Sequence, residues 1–332
     1  MKQLGVGMAI TGCGSAAPGY SLDNDQLSRV VETSDEWIAT RTGIRQRRIS
    51  KVGESLTTIA SQAAREAISM ANLEPTDIDL ILLATSTPDD LFGTACRIQA
   101  EIGATLAVAF DLTAACSGFV FGMVTAAQFI YSGTYQNIVL IGADILSRWV
   151  DWSDRRTCVL FGDAAGAVVI QANEQDRLLG FELRSDGTQN HYLNLDYQPE
   201  DKPLLDDLTI GQGSFNPITM NGQEVYRFAV RRVPEVIEKA LFRANLTTAD
   251  VDWLMLHQAN QRILDAVANR LKIPAEKVVS NLDKYGNTSA ASIPLVLDEE
   301  VRQGRVKAGD VIVASGFGAG LSWGATVFRW GR

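Results

Sequence analysis

Histidine is nearly absent: 332 residues hold two, His191 and His257. The four cysteines, Cys13, Cys96, Cys116 and Cys158, form no C-x-x-C pair, so the chain lacks the clustered ligands of a structural zinc site, and no metal is expected. No apolar run approaches the ~18 residues a membrane span needs. Positive charge is in deficit, 30 basic against 39 acidic residues for a net −9. That balance repels phosphate and excludes a general nucleic-acid binder, so any acidic partner must be met by a local basic patch. There is also no Pro/Ser linker, low-complexity tract or long charge run. What is present is ordinary globular composition, 46% hydrophobic and 21% charged, with mean hydropathy +0.02. At ~150 residues per domain the length suggests two domain-sized units. The opening MKQLGVGMAITG reads as a first strand rather than a signal peptide, which implies a cytoplasmic protein with reduced thiols.

An internal repeat takes the place of the missing linker. Ala71-Asn72-Leu73 and the following EPTDIDLILL match Ala244-Asn245-Leu246 and TTADVDWLML without a gap, an offset of 173 residues. The same offset carries Asn137-IVLIGA onto Asp310-VIVASG, and amphipathic helical stretches at 55–70 and 224–243 precede the two copies. LILLATS, NIVLIGA, CVLFGDAAGAVVI, WLMLHQ and VIVASG are short apolar runs of the kind expected of strands covered on both faces. Helices are expected at 115–132, 259–271 and 289–303. The chain therefore reads as α/β in two similar halves, 1–173 and 174–332, with two sheets enclosing a buried helical layer and the site at their seam.

Two glycine patterns resemble nucleotide loops and fail on context. Gly12-x-Gly14-x-x-Ala17 is followed by Pro18-Gly19, which prevents a helix from opening there. Gly316-Phe317-Gly318-Ala319-Gly320 leaves too little chain for a βαβ unit. Its small residues nevertheless expose backbone N–H groups. Cys116, in DLTAACSGF, stands at a strand-to-helix junction. It is either a small buried hydrophobe or a thiol whose pKa the helix N-terminus lowers. His257 ends a strand where the first copy has Ala84, so the fold does not require a histidine there, whereas His191 lies in a polar loop. Asn287, in YGNTSAASIP, is either a helix cap or part of a site. The 173-residue offset sets Cys116 opposite Ser289, which would bring Cys116, His257 and Asn287 to one central place.

DLTAACSGF, HQANQR, GNTSAASIP and GFGAGLSWG, in that order, with TSDEWIATRTGIRQRRI and FGDAAGAVV, resemble β-ketoacyl-acyl-carrier-protein synthase III of the thiolase-like superfamily along essentially the whole chain. The resemblance implies a duplicated five-layered αβαβα fold and decarboxylative condensation of acetyl-coenzyme A with malonyl-acyl carrier protein. It implies a triad of Cys116, His257 and Asn287, in which the Cys116 thiolate takes the acyl group. The backbone N–H groups of Cys116 and Ala319 would hold the oxyanion; family members often have glycine in place of Ala319. Neutral His257 Nε2–H and the Asn287 amide would stabilise the malonyl enolate. It further implies coenzyme A contacts from Thr33, Trp37, Arg41, Arg155 and Asn260, and carrier-protein contacts from Arg227, Arg231 and Arg262 with Arg232 nearby. A homodimer follows too, in which a partner's Leu91-Phe92 loop closes the acyl pocket, and no cofactor beyond the two substrates is implied. The alternatives are a related condensing enzyme with another primer or acceptor, a Cys-His-Asn hydrolase, and a non-catalytic scaffold, which the filled triad positions disfavour.

Overall fold

The computed structural model describes residues 7–331; residues 1–6 of the expected first strand lie outside them. Two sheets organise the chain. In chain order the first contains β1 (Gly7–Ala16), β2 (Leu80–Ala84), β3 (Val108–Leu112), β4 (Asn137–Asp144) and β5 (Ala164–Asn173), arranged β3-β2-β4-β5-β1. The second contains β6 (Leu178–Ser185), β7 (Trp253–Leu256), β8 (Val311–Gly318) and β9 (Ser322–Arg329), arranged β7-β8-β9-β6. β2 runs parallel to β3 and β4, and β7 runs parallel to β8, while the joins to β5, β1, β9 and β6 are antiparallel. The second sheet lacks only an equivalent of edge strand β3, which is reduced to a single bridge between Leu254 and Val278.

Helices form the other three layers. In chain order they are α1 (Asp35–Thr42), α2 (Leu56–Met70), α3 (Ala95–Ile102), α4 (Gly118–Tyr131), α5 (Gly222–Arg243), α6 (Gln261–Leu271) and α7 (Ser292–Arg302). α2 and α3 cover the outer face of the first sheet, α5 and α6 that of the second, and α4 and α7 lie between the sheets. The central core joins Phe119 and Met123 of α4 to Leu140 of β4 and to Ile312 and Phe328 of the second sheet, so neither half encloses its apolar surface alone. Among the described residues no helix is long and apolar enough to cross a membrane.

The repeat is visible in backbone packing. A Cβ added at Gly12 would lie 2.2 Å from the Ala67 carbonyl oxygen of α2; one at Gly180 would lie 2.5 Å from that of Ala240 on α5. The offset is 173 between these helices, and Asn72 and Asn245 share φ near 55°. It then slips by one. Leu80 pairs with Ile138 whereas Trp253 pairs with Ile312, and the left-handed turn residues that precede α4 and α7 are Ala115 and Ser289. Cys116 is therefore the counterpart of Ala290, not of Ser289, because the second half carries one more residue before its central helix.

The apolar run 158–170 also departs from expectation, since strand begins only at Ala164. Cys158, Val159 and Phe161 are apolar because they pack in a satellite core with Leu27, Ile38 and Ile44. Phe161 and Gly162 meet Asn287 instead of a sheet. α4 and α7 begin at Gly118 and Ser292, each after a 3-10 turn, and α6 begins at Gln261 with Asn260 as its cap.

Gly180→Ala is expected to destabilise the fold by about 1–3 kcal/mol, since its Cβ meets backbone that cannot yield. Gly187→Ala, with no atom within 4 Å, should shift stability by less than about 0.5 kcal/mol. Urea-unfolding midpoints check both; equal midpoints would contradict the packing.

Candidate active site

Cys116 sits in the 3-10 turn Ala115–Ser117 that bends β3 into α4, and the bend forces Ala115 to φ 46°. A non-glycine residue held there signals a backbone fixed by its surroundings. Those surroundings come from the other half. A Cβ at Gly318 would lie 2.8 Å from Cys116 N, and one at Gly316 2.9 Å from Ser117 Cα, so only glycine lets β8 touch the elbow.

His257 follows β7 and is anchored by its N–H, which donates to the Ser315 carbonyl across 2.8 Å. Its Nδ1 lies 2.8 Å from Ser292 Oγ, and its ring packs edge-on to Phe317. Asn287 is fixed twice by backbone, its N–H donating to Leu160 O at 2.8 Å and its carbonyl accepting from Gly162 at 2.9 Å. Its Oδ1 accepts from Ser289 N, which leaves the amide nitrogen as the free end.

Two chambers adjoin at Cys116, and all three residues line one of them. An inner chamber of about 700 Å³ is mostly apolar, lined by Phe121, Leu146, Trp149, Phe161 and Phe215 among others, with Leu91, Ala319 and Cys116 at its wall. The outer chamber, about 680 Å³, takes in Cys116, His257, Asn287 and Gly318 and opens past Arg41, Asn260 and Arg262. Cys116 belongs to both.

Burial dominates the electrostatics. It pushes the Cys116 thiol up to about 12, against the pull of the Ser289 hydroxyl, and the Asp144 carboxylate adds to the rise. The expected lowering by the helix N-terminus is thus overridden: desolvating a thiolate costs more than the end of one helix returns. Burial likewise pushes His257 down to about 3, so the imidazole is neutral at physiological pH. Asp144, fully buried, is raised by desolvation although it accepts from Ser86 N, Thr87 Oγ1 and Ala290 N. Asp144 and Ser292 were not singled out by sequence reasoning, and Ser289 only as the position opposite Cys116; polar residues in buried segments were the available signal.

The remaining named residues divide. Arg41 and Arg155 both lie over the Trp37 ring, at 4.7 and 5.2 Å from its centroid. Asn260 donates to Arg41 O and accepts from Arg262 N, and Arg262 donates to Thr40 O. Thr33 lines neither chamber, and its hydroxyl is buried without a hydrogen-bond partner among the described residues. Arg227 and Arg231 project from α5 and pair with Glu224 and Glu235, which Arg232 also meets. Phe92 is fully exposed and Leu91 largely so. His191 is exposed in a 3-10 turn. Among the described residues no His/Cys/Asp/Glu group is arranged to hold a metal ion.

Comparison with known proteins gives one answer. The family model described as 3-oxoacyl-[acyl-carrier-protein (ACP)] synthase III matches residues 110–187, and its C-terminal counterpart matches 241–330. The β-ketoacyl-[acyl-carrier-protein] synthase III of Trichormus variabilis is 70% identical over 327 residues, covering 98% of this chain and 99% of that one. The enzyme of the same description from Acaryochloris marina is 67% identical over the full length of both. Among solved structures, 3-oxoacyl-[acyl-carrier-protein] synthase III from Aquifex aeolicus superposes with a TM-score of 0.90 at 45% identity, covering 98% of this chain and 100% of that one. A priming β-ketosynthase of a polyketide biosynthetic pathway superposes at 0.91 and 32%, covering 99% and 98%.

Because His257 is held well below its ordinary value, the unfolded chain binds a proton that the folded chain refuses between pH 6.5 and about 3. Stability from this residue is present above pH 6.5 and is lost as pH falls through that window. The unsubstituted chain should therefore lose more stability between pH 7 and pH 5 than His257→Gln, measured by urea midpoints. Equal losses would show that the imidazole is not held neutral.

Proposed function

The chain belongs to the β-ketoacyl-acyl-carrier-protein synthase III family, acyltransferases of the thiolase-like fold that condense acyl units in fatty acid synthesis, and from that premise we propose how its own residues act. The reaction joins acetyl-coenzyme A and malonyl-acyl carrier protein, giving acetoacetyl-carrier protein, carbon dioxide and coenzyme A. The observation that carries this reading is that Cys116, His257 and Asn287 line one chamber while Cys116 also walls a second, strongly apolar one.

Cys116 attacks the acyl thioester, and the backbone N–H groups of Cys116 and Ala319 receive the oxyanion. An alanine serves there as well as a glycine, since the donor is main chain. The acyl group rests in the inner chamber while coenzyme A leaves through the outer one. Trp37, bracketed by Arg41 and Arg155, offers a stacking platform for the adenine, which enters in place of one guanidinium. Asn260 faces the pantetheine path, and Thr33 belongs to the same nucleotide end. Malonyl-carrier protein then docks, and loss of carbon dioxide leaves an enolate whose oxygen is met by His257 Nε2 and the Asn287 amide. The carbanion displaces the acyl group from Cys116. No cofactor takes part.

Docking of an acidic carrier protein falls to Arg262 at the chamber mouth and to Arg227 and Arg231 on α5, whose glutamate partners must be shared or displaced. A homodimer is supported by β3, an edge strand with Val108 and Phe110 exposed, beside the exposed Leu91 and Phe92. A cytoplasmic location and absence of nucleic-acid binding accord with the acidic charge. A primer longer than acetyl is the second reading, favoured by an inner chamber of about 700 Å³, far more than a two-carbon group fills. A panel of acetyl, butyryl and branched acyl thioesters decides between them.

Incubation with radiolabelled acetyl-coenzyme A should trap label on the protein and none on Cys116→Ser; equal trapping would remove Cys116 as nucleophile. Asn287→Ala should release carbon dioxide about 10²–10³ times more slowly while acetyl transfer to Cys116 persists; an unaltered release rate would sink its role. Trp37→Ala should raise KM for acyl-coenzyme A about tenfold with little change in kcat, and a fall in kcat alone would move Trp37 out of the nucleotide site.

A further inference from the structure

Ser292 is fully buried at the start of α7, and its hydroxyl meets three groups. His257 Nδ1 lies 2.8 Å away. The Ser289 carbonyl oxygen lies 2.9 Å away. The Gln258 backbone N–H donates to the hydroxyl across 3.4 Å. A serine hydroxyl has one proton to give. If it goes to the Ser289 carbonyl, Nδ1 must carry the imidazole hydrogen and donate to Oγ, and every group has its bond. If it goes to Nδ1, the Ser289 carbonyl keeps only the backbone bond from Ser292 N, and one buried hydrogen bond is lost. The first arrangement is therefore the more stable, because a buried polar group that gives up a partner recovers nothing from water. Burial keeps the imidazole neutral against the pull of the Ser289 backbone, which also draws the ring hydrogen to the Nδ1 side, so it has a single N–H, and with that hydrogen on Nδ1 the other nitrogen is a bare acceptor toward the chamber that His257 lines.

We propose that Ser292 is a positioning residue that holds resting His257 in the Nδ1–H tautomer, so that Nε2 is the proton acceptor for Cys116 and then the carrier of the proton that condensation consumes. This rests on Cys116 being the acyl-carrying nucleophile. It supplies what that role lacks, since a thiol raised by burial needs a base more than a helix end. In the first half-reaction the Cys116 S–H bond breaks, its proton goes to Nε2, and Sγ bonds to the acyl carbon. When the carbon–sulfur bond to coenzyme A breaks, Nε2 returns the proton to the departing sulfur. The second half-reaction consumes one proton, because a carboxylate leaves as carbon dioxide and Sγ must end as a thiol. That proton enters from solvent onto Nε2 beside the incoming malonyl carboxylate, is held against the enolate oxygen, and passes to Sγ as the acyl–Sγ bond breaks. Nε2–H is thus a donor only when the negative charge it serves is present.

The titratable groups around the imidazole are Cys116 from the turn before α4 and Asp144 from the end of β4, which is bonded to Ala290 N. Arg41, Arg262 and, from α5, Tyr226 stand at the outer chamber. Phe317 closes the β8 side with an apolar ring. None of the charged groups bonds the ring, so the proton on Nε2 depends on the substrate carboxylate, and decarboxylation should fall as pH rises.

The full-length protein labelled with ¹⁵N-histidine tests this directly, because it has two histidines and His191→Gln assigns them. At pH 7 the resting enzyme should show His257 protonated at Nδ1 and bare at Nε2. In Ser292→Ala the proton should move wholly or partly to Nε2, acetyl transfer from acetyl-coenzyme A should slow at least tenfold, and decarboxylation by the acetyl-enzyme should lose its decline at high pH. Ser292→Thr should restore the Nδ1–H signature. Nε2 protonated in the unsubstituted enzyme, a spectrum unmoved by Ser292→Ala, or an equal loss of both half-reactions with the original pH profile would each overturn the proposal. Absence of acetyl label on Cys116 of the unsubstituted enzyme would instead overturn the nucleophile assignment, whatever the spectrum shows.

Discussion

Backbone pressed against backbone across the seam of the two halves is the constraint on which this structure depends. A Cβ at Gly142 would lie 2.2 Å from Ala290 O, one at Gly318 2.8 Å from Cys116 N, and one at Gly166 2.7 Å from Leu295 N. Each contact joins a strand of one half to the turn or central helix of the other. Interiors packed this closely transmit displacement rather than absorb it. The elbows at Ala115 and Ser289, both in left-handed backbone, persist because the strand ends behind them leave no other path for the chain.

From that closeness follows a dry site. Cys116, His257 and Asp144 are all nearly withdrawn from water, and desolvation moves each toward its neutral form. A site so arranged has little charge at rest and strengthens whatever charge a substrate brings, since a desolvated dipole acts through a low dielectric. The polar atoms that remain are paired: Asp144 ties the segment after β2 to the turn before α7, and Ser292 ties that turn to His257. Charged and aromatic side chains with access to water stand farther out, where Trp37, Arg41, Arg155 and Arg262 stay exposed or half-buried.

Much of the fold was legible because apolar runs of strand length separated by helical stretches admit few layered solutions, and because an ungapped match such as Ala71-Asn72-Leu73 with Ala244-Asn245-Leu246 records the duplication directly. The one-residue slip that sets Cys116 opposite Ala290 was missed, since Asn137-IVLIGA lies against an apolar run at an offset of either 173 or 174 and only the strand pairing chooses between them. Nor was the loop at Cys158–Phe161, whose apolar side chains serve a satellite core and look like strand residues in a linear reading. That Cys116, His257 and Asn287 line one chamber was legible in part through scarcity: with two histidines, and one in a polar loop, His257 stood out by its place at a strand end that has alanine in the other half.

The sequence by itself determined the class of fold, its duplication and which cysteine and asparagine stand at the turns before the two central helices and which histidine stands at a strand end, because periodicity and repeated segments are properties of order along the chain. Only the tertiary structure decided their electrostatic state. Cys116 at a helix start reads as an acidified thiol until the opposite half buries it, and Ser292 reads as one more small helix residue until His257, Ser289 and Gln258 close on its hydroxyl. Burial and hydrogen-bond partnership are set by what the rest of the chain places nearby, and for these residues the deciding neighbours lie up to about 200 positions away, in Gly318 for Cys116, and on another element, in His257 just past β7 for Ser292.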